Sequence, residues 1–493
     1  MINKALSGTL KGAFLLSMGI MIVKLLSVFY IPFLSRILGP ESYGTLTIAT
    51  IMIPWFVMLS TLSLSTVATK LISEHNYNKE ICGSIIKTLI LIGLILGIIF
   101  GLVHFLAAGF IAKVFFHDIS IKPYFQISSI VILLSVLYNI IIGIKRGQKQ
   151  FMTYTVLEII KQAILVLTGV VLIILFTDDI FSAIIATILS FGVIVFLYLV
   201  RYIQYFKYKL FNFSKILKHS YNITSFSLLI TILTTLDKFI LGYLSSKTIV
   251  GVYAISTAFI NFGLIGSSSF KNAYFPYISE LIVEKEKKKK EISESLEKLL
   301  IYSTLVLGIF VILITTLRNY FVKILFGTEF MMAGNILIIS IYTILFMNIF
   351  GIIHVFSLAL EKYKLIYKIS IAMLVISLII TYGLTKLFGM YGTAASLLIS
   401  HIILTSLYFK FIVNFAKINL KKLYLLIFIV FTLGLITSFI NKELKWQIII
   451  FIFSIIVYLL LTYKFKYYNK ENIIIVYSFL KNKIKTMFQK NYN

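Results

Sequence analysis

The sequence predicts an all-α polytopic membrane protein of about fourteen transmembrane helices, and three observations lead there. Of its 493 residues 60% are hydrophobic and only 13% are charged, with a mean hydropathy of +1.00. A water-soluble chain of this length needs far more polar surface. Apolar runs of the roughly 17–25 residues that cross a bilayer recur along nearly the whole chain. The basic residues sit between those runs and alternate strongly in favour of one side.

Taken in order, the first run, near 12–34, carries Lys24. No small-residue cleavage site follows it, so it is expected to remain as a span and not to act as a removable signal. Spans near 45–67, 84–108 and 124–143 come next. A fifth near 154–176 contains Glu158 and Lys161, and a sixth covers about 180–200. The second set begins near 220–243, with Asp237 and Lys238, and 250–275, with Lys271. It continues near 299–316, 333–353, 366–385 and 391–413, and two more spans lie near 423–440 and 446–463.

Charge orients this array. With the N-terminus inside, the segments on the inner side hold 33 Lys and Arg and those on the outer side nine, the remaining four lying within spans. One missed helix would invert every later segment and destroy the bias. Both termini are therefore expected in the cytoplasm of a cell-membrane protein. The net charge of +28 is assigned to orientation and to anionic lipid headgroups, not to nucleic acid, because the basic residues flank apolar runs and do not cover a folded polar surface. The inner segment 280–297, with its EKEKKKKE run, reads as a solvated linker between two halves. The tail after Tyr463 alternates apolar patches with lysines, as an interfacial helix on anionic lipid does.

Several chemistries are unsupported. A single cysteine, Cys82, rules out an intrachain disulfide and a cysteine metal cluster. The six histidines are scattered without metal-ligand spacing. No phosphate-binding loop with its lysine is present, and neither a cofactor nor a metal is expected. The outer loops are short, which argues against a membrane polymerase or ligase with an external active site.

The sequence also echoes itself. Leu38-Gly-Pro-Glu-Ser-Tyr-Gly44, leading into the second span, is echoed by Ser245-Ser-Lys-Thr-Ile-Val-Gly251, leading into the eighth. Six spans separate the copies, so both have the same orientation, as in parallel repeats with a path between the halves. A chance glycine-containing turn is the rival reading. The expected divisions are 1–205, 206–417 and a C-terminal 418–493 with two extra spans and a basic tail.

The run SRILGPESYGTLTIA, with GIKRGQKQF after the fourth span, LDKFILGYL and VGVYAIS around the seventh and eighth, and ILFGTEFMMAGNIL before the tenth, resembles the polysaccharide-transporter family of Wzx-type oligosaccharide flippases. That family belongs to the MOP superfamily with MATE drug exporters and MurJ lipid II flippases, and the resemblance covers most of 10–415. It implies two six-helix bundles in a V, with spans 1, 2, 7 and 8 lining a central cleft. It also implies movement of an undecaprenyl-pyrophosphate-linked oligosaccharide from the inner to the outer leaflet. Fourteen spans exceed the twelve of many members, so a lipid II or teichoic-type precursor stays open as substrate.

Ionisable groups inside a bilayer cost about 2.5–3.5 kcal/mol each on insertion scales and need a partner or a water-filled cavity. With spans 1, 7 and 8 around one cleft, Lys24, Lys238 and Lys271 become candidates to hold a pyrophosphate, joined by Thr231, Asn261 and Ser268. Thr224, Ser227, Thr231, Thr234 and Lys238 recur at helical spacing, and Thr257, Asn261, Ser268 and Lys271 do so with one gap. Such stripes are as consistent with interhelical packing as with a lined path. Glu158 and Lys161, three apart, form an expected internal ion pair. Asp237 is expected to pair with a cleft lysine, or to bind the Na+ or H+ that couples transport. The functional expectation is a monomeric, non-enzymatic flippase working by alternating access. A MATE-like cation-coupled drug antiporter ranks below it because cationic drugs call for an acidic cavity.

Overall fold

The computed structural model describes the backbone of residues 2–465 and 467, apart from 76, 177–179, 284, 361, 417–419 and 440–442. Side chains are described outside 1–18, 20, 215, 217–219, 221–223, 225–226, 266–289, 359, 363 and 411–416. The inner linker therefore falls partly, and the C-terminal tail wholly but for Lys464, Phe465 and Tyr467, outside the described side chains.

Every regular element among the described residues is helical. Among the described residues, ten helical runs are long and apolar enough to cross a membrane, or twelve if each of two bent pairs is one span. The chain is thus a multi-pass membrane protein. The expected count of fourteen divides two of these runs, Met21–Glu74 and Lys364–Lys410, in two. Each contains a glycine outside helical geometry, Gly39 (φ 69°) in the first and Gly389 (φ 56°) in the second. At Gly39 the left-handed conformation costs a glycine little, and Pro40, which lacks an N–H, opens the next helix.

Three expected spans are not single rods. The second breaks at Met52, and again at Leu62 and Ser63, whose φ values of 43° and 54° are left-handed without glycine. The seventh bends by 45° between Ser227–Leu233 and Leu236–Leu244, and the tenth by 45° between Met332–Ser340 and Thr343–Leu358. At the seventh, Thr235 N–H bonds the Ile232 carbonyl three residues back, a tightened turn that interrupts the α-helical ladder. The hydroxyl stripe read across this span assumed an unbroken helix, so its last member, Lys238, stands on a differently directed segment.

Two apolar clusters lie mainly within residues 1–205, one centred on Leu64, Ile85 and Ile141 and reaching Ile216, the other on Tyr30, Ile132 and Ile184. A third, with Leu300, Phe356 and Tyr408, lies in the second half. The largest cluster bridges the halves, joining Ile48, Ala49, Phe116 and Phe125 to Leu241, Val250, Phe259 and Phe330. The C-terminal helices Leu420–Ser438 and Leu444–Lys464 dock on the second half. Tyr458 Oη donates to the Leu305 carbonyl (3.0 Å), and buried Arg318 donates to the carbonyls of Thr315 (2.8 Å) and Ser438 (2.9 Å). A guanidinium at the last carbonyl of a helix satisfies an orphan acceptor and complements the helix dipole.

Candidate functional site

The two echoed glycines meet. At Gly44 a Cβ would fall inside the carbonyl oxygen of Lys247, 2.6 Å from its carbonyl carbon and 3.0 Å from Gly251 N. At Gly251 a Cβ would collide with the Pro40 carbonyl and lie 2.9 Å from Gly44 N. Only residues without a Cβ let these helices cross with backbone against backbone. Polar contacts surround the crossing: Lys247 Nζ pairs with Asp118 at 2.5 Å, and Arg36 Nη2 donates to the Lys323 carbonyl at 3.1 Å. Below it, Trp55 Nε1 donates to Thr235 Oγ1 (2.6 Å), and Phe239 rests on Trp55 and Phe115. Residues of 1–205 and of 206–417 are therefore in direct contact around this crossing.

Asp118 sits in the turn between helices, where hydrogen bonds from Lys247, and then from Ser120, pull its carboxyl down to about 2. The unfolded value is about 3.9, so the contribution of the pair is complete above about pH 4 and is lost as pH falls through the folded value. Asp118→Asn is expected to lower the unfolding midpoint of the solubilised protein slightly, by the same amount at pH 7 and pH 5, since both sites face water. A destabilisation present at pH 7 and gone at pH 5 would contradict this reading.

Within the first half, a cavity of about 510 Å³ is walled by five spans. Glu158 and Lys161 line it and pair at 2.9 Å, each side chain about one-fifth exposed. The Lys161 ammonium also stands 4.7 Å from the Tyr138 ring centroid and 5.3 Å from that of Phe191. These faces stabilise a cation held away from bulk water.

Within the second half, a small cavity of about 40 Å³ is lined by Thr234, Asp237, Ser377, Thr381, Ser400 and His401. Asp237 is 5% exposed, and its Oδ2 accepts a hydrogen bond from Tyr253 Oη at 2.8 Å, while Oδ1 has no hydrogen-bond partner among the described residues. Tyrosine thus stands where a cleft lysine was expected. Sequence reading singled out Asp237 and Thr234 but missed Ser377, Thr381, Ser400 and His401, which are spread over distant spans. The available signal was Ser377 and Thr381, one turn apart, with Ser400 and His401 in otherwise apolar runs.

The remaining candidates are less converged. Lys24 and Lys238 are half-buried and Asn261 is exposed, whereas the side chains of Ser268 and Lys271 lie outside the described residues. The Thr231 hydroxyl donates to the Ser227 carbonyl (2.8 Å), and buried Thr224 donates to Ser63 Oγ across the halves (3.2 Å). Those two therefore serve packing in this state, and Thr234 alone of its stripe lines a cavity.

Residues 9–282 match a family model described as polysaccharide biosynthesis protein. No curated protein matches the sequence. Among solved structures, the lipid II flippase MurJ in an inward closed conformation aligns with a TM-score of 0.74 at 16% identity, covering 92% of this chain and 99% of that one. A multidrug-resistance MATE family transporter in an inward-facing conformation aligns at 0.67 and 13% identity, over 81% of this chain and 97% of the other. A MOP superfamily transporter from Pyrococcus furiosus, with a binding pocket of reverse polarity, gives 0.59 and 14%, covering 82% and 94%. At such identities the likeness establishes a shared fold.

Proposed function

The chain belongs to the polysaccharide biosynthesis protein family, and we propose that it flips an undecaprenyl-pyrophosphate-linked oligosaccharide from the inner to the outer leaflet of the cell membrane. The supporting observation is the crossing of Gly44 and Gly251. The family, the repeat and the MOP-type fold all call for two halves that alternate, and this crossing closes one end with equivalent parts of each half. At the crossing the seal is bare backbone with a few water-exposed polar contacts, backed by the apolar cluster that Phe116 and Val250 share.

Translocation needs no bond made or broken, so the protein works as a transporter. Lys24, with Lys238 and Lys271, supplies the cationic wall that a pyrophosphate needs in place of water, while the polyprenyl chain stays in lipid. The six-span halves of 1–205 and 206–417 rock about the path, and the helices Leu420–Ser438 and Leu444–Lys464 brace the second half. Asp237 is the site for the coupling cation. One buried carboxylate oxygen is held by Tyr253 and the other is left to take Na+ or H+, because an anion in this wall needs a positive partner.

A Lys24→Ala strain tests the cationic wall. Polysaccharide export is expected to fall about tenfold or more at unchanged protein level, the equivalent of one charge-assisted contact. Normal export would remove the wall from the account. A lipid II or teichoic-type precursor presents a similar phosphate-bearing headgroup; complementation of strains lacking each flippase separates these substrates.

A further inference from the structure

The cavity of the first half is too large to be a packing gap, and Asn139, Glu158, Lys161 and Thr187 set polar groups in an otherwise mainly apolar wall. Its volume of about 510 Å³ lies in the range of ligand pockets, roughly 300–1,000 Å³. Its charge is the informative feature. Glu158 and Lys161 sit on one wall and cancel each other at 2.9 Å, so the lining offers strong donors and acceptors with no net charge. A pyrophosphate would meet the carboxylate and a cationic drug the ammonium. A neutral ligand with many hydroxyls meets neither objection.

The remaining walls suit such a ligand. Asn139 Nδ2 gives one hydrogen to the Ser135 carbonyl (2.8 Å), which leaves its side-chain oxygen and a second hydrogen. Thr187 donates to the Ala183 carbonyl (3.0 Å) and keeps acceptor capacity. Half-buried Phe191 also lines the cavity and offers aromatic surface, the usual seat for the apolar face of a sugar ring. Hydroxyls leaving water need replacement hydrogen bonds, and those bonds strengthen away from bulk solvent.

We propose that this cavity is a binding site for neutral sugar residues of the translocated headgroup, separate from the lysines that hold its pyrophosphate. The site rests on the flippase reading and deepens it. Glu158 and Lys161 then act together as a hydrogen-bonding pair, and ion coupling is left to the second half.

The test uses the full chain in nanodiscs and two probes, a citronellyl-pyrophosphate-linked neutral disaccharide and citronellyl pyrophosphate without sugar. The double variant Asn139→Leu, Thr187→Val removes hydrogen-bonding groups at nearly constant volume. It is expected to bind the disaccharide probe about tenfold more weakly and the sugar-free probe as the wild type does. Glu158→Gln with Lys161→Met should behave alike, and the unfolding midpoint of each variant verifies that it is folded. Equal weakening for both probes, or no weakening for either, overturns the sugar site. Failure of the wild type to bind either probe refutes the flippase reading itself, and the sugar site with it.

Discussion

Leucine in place of Gly44 is expected to cut export by about ten- to a hundredfold, with the protein still present in the membrane. The atoms in the way are the carbonyl group of Lys247 and the amide nitrogen of Gly251. These are helix backbone, with no rotamer to turn aside, so the halves must part where they now touch. Overpacking costs about 1–3 kcal/mol. Charged against one state of an alternating pair, that cost depopulates the state by roughly ten- to a hundredfold. The sole cysteine, Cys82, makes a direct check simple. In a Cys82→Ser background, Asp118→Cys with Lys247→Cys should be bridged by a short bifunctional thiol reagent and lose that bridge when Gly44→Leu is added. Unchanged export and cross-linking would mean that the crossing is not the gate.

Replacing Asp237 by Asn should have the second large effect. Asparagine keeps the size of the side chain and an acceptor for Tyr253, whose hydroxyl now bonds Oδ2 at 2.8 Å, so the helix pair should stay folded. What is lost is the negative charge inside a cavity shared with Ser377, Thr381 and His401. Transport in proteoliposomes is expected to drop about tenfold or more and to stop responding to an imposed Na+ or pH gradient, as befits removal of a functional intramembrane charge. Transport that keeps its full gradient response in the Asn variant would place coupling elsewhere.

Much of the architecture was legible because a bilayer imposes strong constraints. Span length and charge bias indicated a multi-pass helical protein, and the glycine echo marked two equivalent positions, though not that Gly44 and Gly251 touch. The turn at Gly39-Pro40 was readable for the same reason, since only a few residue types suit it. The breaks at Leu62-Ser63 and Thr234-Thr235 were not. No glycine or proline sits at either break, and local sequence carries little trace of a bend that tertiary packing enforces. The ion pair of Glu158 and Lys161 followed from a spacing of three. The partner of Asp237 did not, because Tyr253 is sixteen residues away across a turn and is indistinguishable in sequence from any core tyrosine.

The central claim is that a cation-lined path carries a pyrophosphate-linked sugar across the bilayer. It is tested most directly in proteoliposomes loaded with undecaprenyl-pyrophosphate-linked neutral oligosaccharide, by counting headgroups that become accessible to an added, membrane-impermeant glycosidase. The account predicts fast exposure with the wild-type chain and slow exposure with Lys24→Ala. Exposure no faster than in protein-free liposomes, or equally fast with the alanine variant, would contradict it.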